Sequence, residues 1–312
     1  MTKALPTKEE YLSRFHTVTP IQAGWSEDEK YQVTTPQGQR FFLRIYDHHK
    51  IPAKEQEFEF IEAVAQAGVP VAQGIQPPDA FAPSPDQSPQ GYMLCQWVDG
   101  QSLEAILPTL PPATQHQLGI TFGQNLKKIH QLSALDKTSD NSAELEGKLA
   151  HIAHQVSHSQ LSLPHIDHML ITFHNTLPHI KNRPQCRLHG DYTLANALWA
   201  ADTIHLIDFD SWTLGDPFME FKDLEISQTN IPSFYAGRLE GYFAAPPPAD
   251  FEPIHQLYNG VHTLTVLLWL ETVLADKQAQ DFQKNMAAKG INLAADMAQL
   301  MERYQNLAKL MA

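Results

Sequence analysis

Cysteine is nearly absent from this chain. Its two thiols, Cys95 and Cys186, sit in the apolar stretches MLCQW and PQCRL and form no C-x-x-C pair. A disulfide-stapled scaffold is thereby excluded, and a reducing, cytoplasmic compartment is expected. Positive charge is also scarce: 22 Lys and Arg stand against 35 Asp and Glu, for a net charge of -13. Such a balance argues against nucleic acid or an anionic membrane as the main partner. A solubilising surface is the simplest account of it. Long apolar runs are missing. The longest, VHTLTVLLWLETVL (Val261 to Leu274), contains His262 and Glu271 and is too short to span a bilayer, so a buried core helix is expected there. The opening MTKALPTKEEYLSRF has no uninterrupted apolar stretch of the kind a signal peptide needs, and none is expected. There is no G-x-G-x-x-G motif, and no internal repeat of 20–50 residues is apparent.

The rest reads as an ordinary folded protein. Of 312 residues, 43% are hydrophobic and 18% charged, enough for one large domain or two lobes. The first hundred residues look strand-rich. YQVTT (31–35) and RFFLRIY (40–46) flank Pro36 to Gly38, a hairpin signal. AKEQEFEFIEAVAQAG then reads as a helix with Phe58, Ile61 and Val64 or Ala65 on one face, stopped by Gly68 and Pro70. Residues 77–90, rich in Pro and Ser, read as a loop before the strand GYMLCQWV (91–98). After DGQSL (99–103) helices dominate, beginning with one that carries Leu118, Phe122, Leu126 and Ile129 on one face. Residues 134–162 are polar with weak helical periodicity, and helices return from Gly215 onward.

The informative stretch is HGDYTLANALWAADTIHLIDFD, His189 to Asp210. NALWA and IHLIDF form an expected hairpin with AAD at its turn, which would set Asn196 and Asp208 at one end of it. An amide oxygen and a carboxylate are hard oxygen donors of the kind Mg²⁺ takes, with phosphates and waters completing its shell. Asp191, five residues before Asn196, is placed to accept a proton from an attacking hydroxyl. The protein-kinase catalytic loop has the same Asp-to-Asn spacing, and a later Asp there binds metal. Alone, H-G-D is a weak signal. Followed by Asn five residues after its Asp and by an apolar strand ending in D-F-D, it is specific.

Phosphoryl transfer also needs a cation on the phosphates and a carboxylate to orient it. Arg44 falls in mid-strand, where an inward charge requires a partner. Glu57 on the following helix is one candidate, with Glu55 and Glu59 as alternatives. The segment around Gly24 and Ser26 is a candidate turn over the phosphates. Backbone near Gln96 and Val98 is a candidate purine contact. Asp216, before Pro217, reads as a helix cap, and His189 as a brace of its loop. His151, His154 and His158 could share a helix face, and a solvated face is expected there.

Taken together, FFLRIY, EFEFIEAVAQAGVPV, YMLCQWVDGQSL, NLKKIHQL, RLHGDYTLANALW, HLIDFDSWTLGDP and RLEGYF resemble the aminoglycoside phosphotransferase family. The resemblance runs from about Gly24 to about Phe243. It implies an α+β, bilobal protein-kinase-like fold: a strand-rich nucleotide-binding lobe over 1–98, a hinge at about 95–99, and a mainly helical lobe over 99–312 for catalysis and acceptor binding. It implies Asp191 as the catalytic Asp, Asn196 and Asp208 as Mg²⁺ ligands, and Arg44 in place of the usual lysine with Glu57 as its ion-pair partner. ATP or GTP would be the donor and a small hydroxylated molecule the acceptor, aminoglycoside-like or otherwise amine- or sugar-bearing. Asp210, Glu220, Asp223, Tyr235 and Glu271 are the acceptor-site candidates, with Glu225, Phe234, Tyr242 and Trp269 beside them. Ala195 departs from the family's glycine before the metal Asn. A metabolite kinase of choline, sugar or amino-alcohol type, and a nucleotide-binding pseudokinase, are the alternatives.

Overall fold

The computed structural model describes residues 5–22, 26–83, 88–132, 135–221 and 231–311. The chain forms two compact units: residues 1–103 with 195–211, and residues 104–194 with 212–312. The fold is mixed, with a sheet in the N-terminal part and helices dominating the C-terminal part. No described helix is long and apolar enough to cross a membrane.

In the first unit, a short helix α1 (Lys8–Leu12) precedes β1 (Thr17–Ile21), β2 (Glu29–Thr34) and β3 (Arg40–Asp47). The expected hairpin forms: Gly38 adopts φ 83°, and its N–H donates to the Thr35 carbonyl at 2.9 Å. Helix α2 (Ile51–Gln66) follows and ends where Gly68 turns left-handed at φ 72°. Then come β4 (Gly74–Ala80) and β5 (Gln90–Gln96), giving an antiparallel sheet in the order β1-β2-β3-β5-β4. The expected loop over 77–90 is therefore partly strand. Pro77 and Pro78 are tolerated because β4 is an edge, and its register slips twice. Residues 84–87 lie outside the described residues.

Alternation on β3 decides what faces what. Leu43 and Ile45 join Val33, Tyr92 and Leu94 in a core closed by Tyr11 and Phe81. Phe42 and Tyr46 join Met93, Cys95 and Ile51 of α2 on the other face. Arg44 lies between Phe42 and Tyr46, so sheet parity puts a guanidinium under the helix.

A two-residue strand β6 (Gln101–Ser102) pairs with β9 (Ala197–Ala200), which forms a hairpin with β10 (Thr203–Leu206). Ala201 and Asp202 both have positive φ, 47° and 57°, as a two-residue hairpin turn of the favoured twist requires. This hairpin is stitched to the first half of the chain. The Leu206 N–H donates to the Pro70 carbonyl, and the Ala72 N–H to the Leu206 carbonyl, each at 3.0 Å.

In the second unit a one-turn helix α3 (Leu103–Ile106), whose first residue closes the other unit, leads into α4 (Pro112–Gln131). Strand β8 (Arg183–Leu188) lies between β7 (Leu135–Ser139) and β11 (Thr213–Gly215). Helices α5 (Ser142–Val156), α6 (Ile166–Thr176), α7 (Pro232–Phe243), α8 (Phe251–Ala275), α9 (Gln280–Ala288) and α10 (Leu293–Met311) supply the bulk. The run expected as a core helix lies in α8, which buries Val261, Leu264, Leu267, Leu268 and Leu270. Leu118, Phe122, Leu126 and Ile129 are all buried on α4.

Helices α4 and α7 meet through glycine. A Cβ on Gly119 would fall 2.2 Å from the Phe234 carbonyl oxygen, and one on Gly123 2.1 Å from that of Arg238. From the other side, Gly237 and Gly241 would each bring a Cβ within 2.1 Å of the His116 and Ile120 carbonyl oxygens. Two G-x-x-x-G faces thus allow backbone to touch backbone. Gly237→Ala should lower stability by about 1–3 kcal/mol, because the clash is with main chain and cannot be relieved by a rotamer change. Gly147→Ala, on α5 with nothing within 4 Å, should instead raise it by roughly 0.5–1 kcal/mol. Urea melts of the two variants check the contrast.

Candidate active site

Four acids and two bases meet in the first unit. Arg44 is 2% exposed. Its Nη1 donates to Glu57 Oε1 at 3.4 Å, while Nη2 donates to Asp208 Oδ1 and Asp210 Oδ2, each at 3.2 Å. Its Nε lies 3.3 Å from Asp28 Oδ2. Lys54, one helical turn before Glu57 on α2, donates to Glu57 Oε2 at 2.8 Å and also contacts Asp210. Lys50 ties Asp28 down from outside at 2.7 Å.

Local structure explains the convergence. Phe209 is buried with its ring edge-on to Phe60 of α2, 5.6 Å between centroids. With Phe209 inside, Asp208 and Asp210 flank it and reach the cations. Asp208 sits at φ 60°, a conformation Asp tolerates better than most residues. Asn196 lies at the same end of the β9–β10 hairpin, where its carbonyl accepts the Ile207 N–H at 3.0 Å.

The charges shift one another. Burial works against Arg44's charge, but Asp208, Asp210, Glu57 and Asp28 outweigh it and hold the guanidinium more basic than usual. Burial pushes the Glu57 carboxyl up despite Lys54 and Arg44. It would also raise Asp210, but Arg44 and Lys54 bring that carboxyl below its ordinary value. Lys30, directly across β2 from Arg44, is lowered by burial and in part restored by Asp208.

In the second unit, β8 delivers His189, Gly190 and Asp191. Glu220 is 2% exposed, and its carboxylate accepts the His189 N–H at 2.7 Å and the Gly190 N–H at 3.0 Å. His189 is fully buried; its Nδ1 accepts the Asp191 N–H at 3.3 Å. Arg238, also fully buried, donates to the carbonyls of Tyr192 and Glu220 at 3.3 and 3.0 Å and stacks over Phe122 and Phe221. Asp191 itself is exposed at the end of this braced loop. Asp216 caps the turn after it through the Phe218 N–H at 3.0 Å, and is held by Arg183 and Tyr258.

The other sequence candidates fall as follows. The Ser26 hydroxyl accepts the Asp28 N–H at 3.1 Å. The Gln96 N–H pairs with the Gln73 carbonyl, and the Val98 carbonyl accepts from Gly100. The Glu271 carboxylate accepts the Ser159 hydroxyl and the Gln160 N–H, each at 2.7 Å. Tyr235 is half-buried on α7, Phe234 fully buried, and the Tyr242 hydroxyl meets His130. Trp269 is exposed on α8. Gly24, Asp223 and Glu225 lie outside the described residues. Sequence reasoning passed over Lys54, Asp28 and Arg238. The Lys-x-x-Glu spacing on α2 and the G-x-x-x-G of α7 were the available signals.

Comparison with known proteins gives one family. A model described as the phosphotransferase enzyme family (APH) matches residues 17–252. Among solved structures, a choline/ethanolamine kinase family protein from Mesorhizobium loti is 17% identical at a TM-score of 0.56, over 96% of this chain and 93% of that one. An amicoumacin kinase in complex with AMP-PNP and Ca²⁺ is 12% identical at 0.59, over 98% and 90%. A spectinomycin phosphotransferase with ADP is 14% identical at 0.61, over 88% of each chain. At these identities the likeness is one of fold. Acyl-CoA dehydrogenase family member 10 of Mus musculus is 25% identical over 61% of this chain. The chain spans about a fifth of the length of that relative.

The ion cluster has a pH signature. Because its value is depressed, the Asp210 carboxylate contributes stability above the ordinary range near pH 4, and that contribution is lost as pH falls through the lowered value. Asp210→Asn should therefore melt below wild type at pH 7, with the two curves converging as pH falls below about 4. Thermal melts across this range check it; a constant offset would contradict it.

Proposed function

The chain belongs to the phosphotransferase enzyme family, and we propose that it moves the γ-phosphate of ATP or GTP to a hydroxyl of a small molecule in the presence of Mg²⁺. The observation that carries the reading is Arg44, buried at 2% and shared between Glu57 on one side and Asp208 and Asp210 on the other. A candidate phosphate clamp is thus held against Asp208, the carboxylate that would bear the metal. Residues 1–98, with a hinge at about 95–99, are proposed as the nucleotide lobe. Ser26 would meet the phosphates, and the backbone of Gln96 and Val98 the base. Residues 99–312 are proposed to serve catalysis and the acceptor.

The donor set fits a hard cation. The Asn196 amide and the half-exposed Asp208 carboxylate, 38% accessible, offer oxygen donors. Bound there, Mg²⁺ would neutralise phosphate charge as it builds up. The remaining work falls to this chain's side chains. Arg44, oriented by Glu57, would pair with phosphate oxygens, and Lys54 would hold Asp210 aside. Asp191 would take the proton of the acceptor hydroxyl as its oxygen bonds to phosphorus and the bond to the leaving nucleoside diphosphate breaks. Glu220, His189 and Arg238 keep the Asp191 loop fixed, which limits the reorganisation needed at reaction. The structural neighbours are named for amicoumacin, choline or ethanolamine, and spectinomycin, so sugar, amino-alcohol and antibiotic acceptors are all compatible with this reading.

Mg-nucleotide at a hundred times its dissociation constant should stabilise the protein by about 2.7 kcal/mol. Thermal shifts with ATP and GTP, each with and without Mg²⁺, should show that gain in wild type and its loss in Asp208→Ala. No Mg-dependent shift with either nucleotide would return weight to a binding module without catalysis, the reading that Ala195 favours. Asp191→Ala should keep nucleotide binding and lower turnover by roughly 10²–10⁴-fold. Equal loss of binding would remove Asp191 from the proton-accepting role.

A further inference from the structure

The second unit contains a cavity of about 780 Å³, within the range that holds a drug-sized molecule. Its walls come from α5, β11 and α8. Leu145 and Ile152, Ile180, Leu214 and Val261 give it an apolar lining. Charge is sparse. Glu144 is the one carboxylate among the described lining residues, and Lys148 pairs with it at 2.7 Å. His151 and His262 complete the ionisable set. Tyr258 turns its hydroxyl to the buried Asp216.

One strand pairing links the cavity wall to the strand that runs into the loop of Asp191. Thr213, on its rim, pairs with Leu188 across β11 and β8, and Asp191 follows Leu188 by three residues. The chain's reach places Asp191 within about 16 Å of Thr213, Cα to Cα. A molecule filling the cavity could extend a hydroxyl toward that carboxylate.

Among the described residues, the acids expected to receive an ammonium group are already engaged. Glu220 is committed to two loop amides, Glu271 to Ser159 and Gln160, and Asp210 to Arg44 and Lys54. A polyamine entering this cavity would give up water for an apolar wall and a carboxylate that Lys148 already neutralises. Burying its charges there is unfavourable.

We propose that this cavity seats the acceptor, and that the acceptor is an uncharged alcohol on a largely apolar skeleton rather than a polyamine. The proposal rests on the phosphotransferase reading above for the reaction and on the cavity alone for the chemistry of the acceptor. Leu214, at 54% exposure, gives a conservative handle, since a charge there need not disturb the core.

The test is calorimetric titration of the full chain with octyl glucoside below its micelle-forming concentration, and with kanamycin as the contrasting polyamine. Octyl glucoside should bind saturably and more tightly than kanamycin. Leu214→Glu, checked for an unchanged melting temperature, should weaken octyl glucoside by about tenfold and favour kanamycin. Over its binding range octyl glucoside should also change the basal rate of Mg-ATP hydrolysis at least about twofold, as an occupant of the acceptor site would. Tighter kanamycin binding to wild type, no octyl glucoside binding, equal binding to the variant, or unaltered hydrolysis each overturns the proposal. A separate titration with AMP-PNP and Mg²⁺ reports on nucleotide binding. Its failure would overturn the phosphotransferase reading while the octyl glucoside result still decides the chemistry of the cavity.

Discussion

The contact on which the second unit depends is backbone against backbone. Where α4 crosses α7, four glycines leave room for main chain to meet main chain, since a Cβ at any of them would fall within about 2.2 Å of a carbonyl oxygen on the other helix. The approach fixes the position of Arg238, which lies between two of those glycines on α7. A fully buried guanidinium is tolerable only where its donors and its faces are both occupied. Here carbonyls of Tyr192 and Glu220 take the donors, and rings of Phe122, Tyr192 and Phe221 cover the faces. Glu220 then presents its carboxylate to the loop before Asp191. A packing device thus sets the geometry of the loop proposed to carry the chemistry, through one arginine and one glutamate.

The first unit is governed by electrostatics in a confined space. Arg44 and Lys54 are nearly inaccessible, and so are Asp28 and Glu57, while Asp208 and Asp210 remain more than a third exposed. Buried groups of this kind are costly to leave single but stable as a set. The gradient from closed to open is informative: the cations and their orienting acids lie inside, and the two acids of the D-F-D turn face outward.

Much of this was legible in the residues. The inward parity of Arg44 on β3 and the hairpin turn at Ala201 and Asp202 follow from periodicity and turn chemistry, whereas Asp191, Asn196 and Asp208 were singled out by motif spacing and by the family resemblance. The helix of Val261 to Leu274 was legible from hydrophobicity alone. Other features were not. Strand β4 carries two prolines and was hidden by them, because edge position is a property of the sheet and not of the segment. Glu220 and Glu271 looked like acids available to a ligand, and only tertiary contacts show which amides and hydroxyls they serve. Lys54 was obscured because a lysine three residues before a glutamate is ordinary on a solvated helix. Its burial depends on Asp210, more than 150 residues away in sequence.

The hairpin of β9 and β10 has a consequence for the birth of the molecule. Its Leu206 pairs with Pro70 and Ala72, and its last turn supplies acids to Arg44 and Lys54, so the first unit is not one continuous stretch of chain. A ribosome moving at about 5–20 residues per second needs several seconds more to deliver these segments after residue 103 has emerged. Through that interval the buried cations of β3 and α2 lack half of their carboxylates, and Pro70 and Ala72 lack the main-chain partner that Leu206 supplies. The N-terminal part of this protein must wait for its completion. The delay makes these contacts of long sequence separation late events in folding.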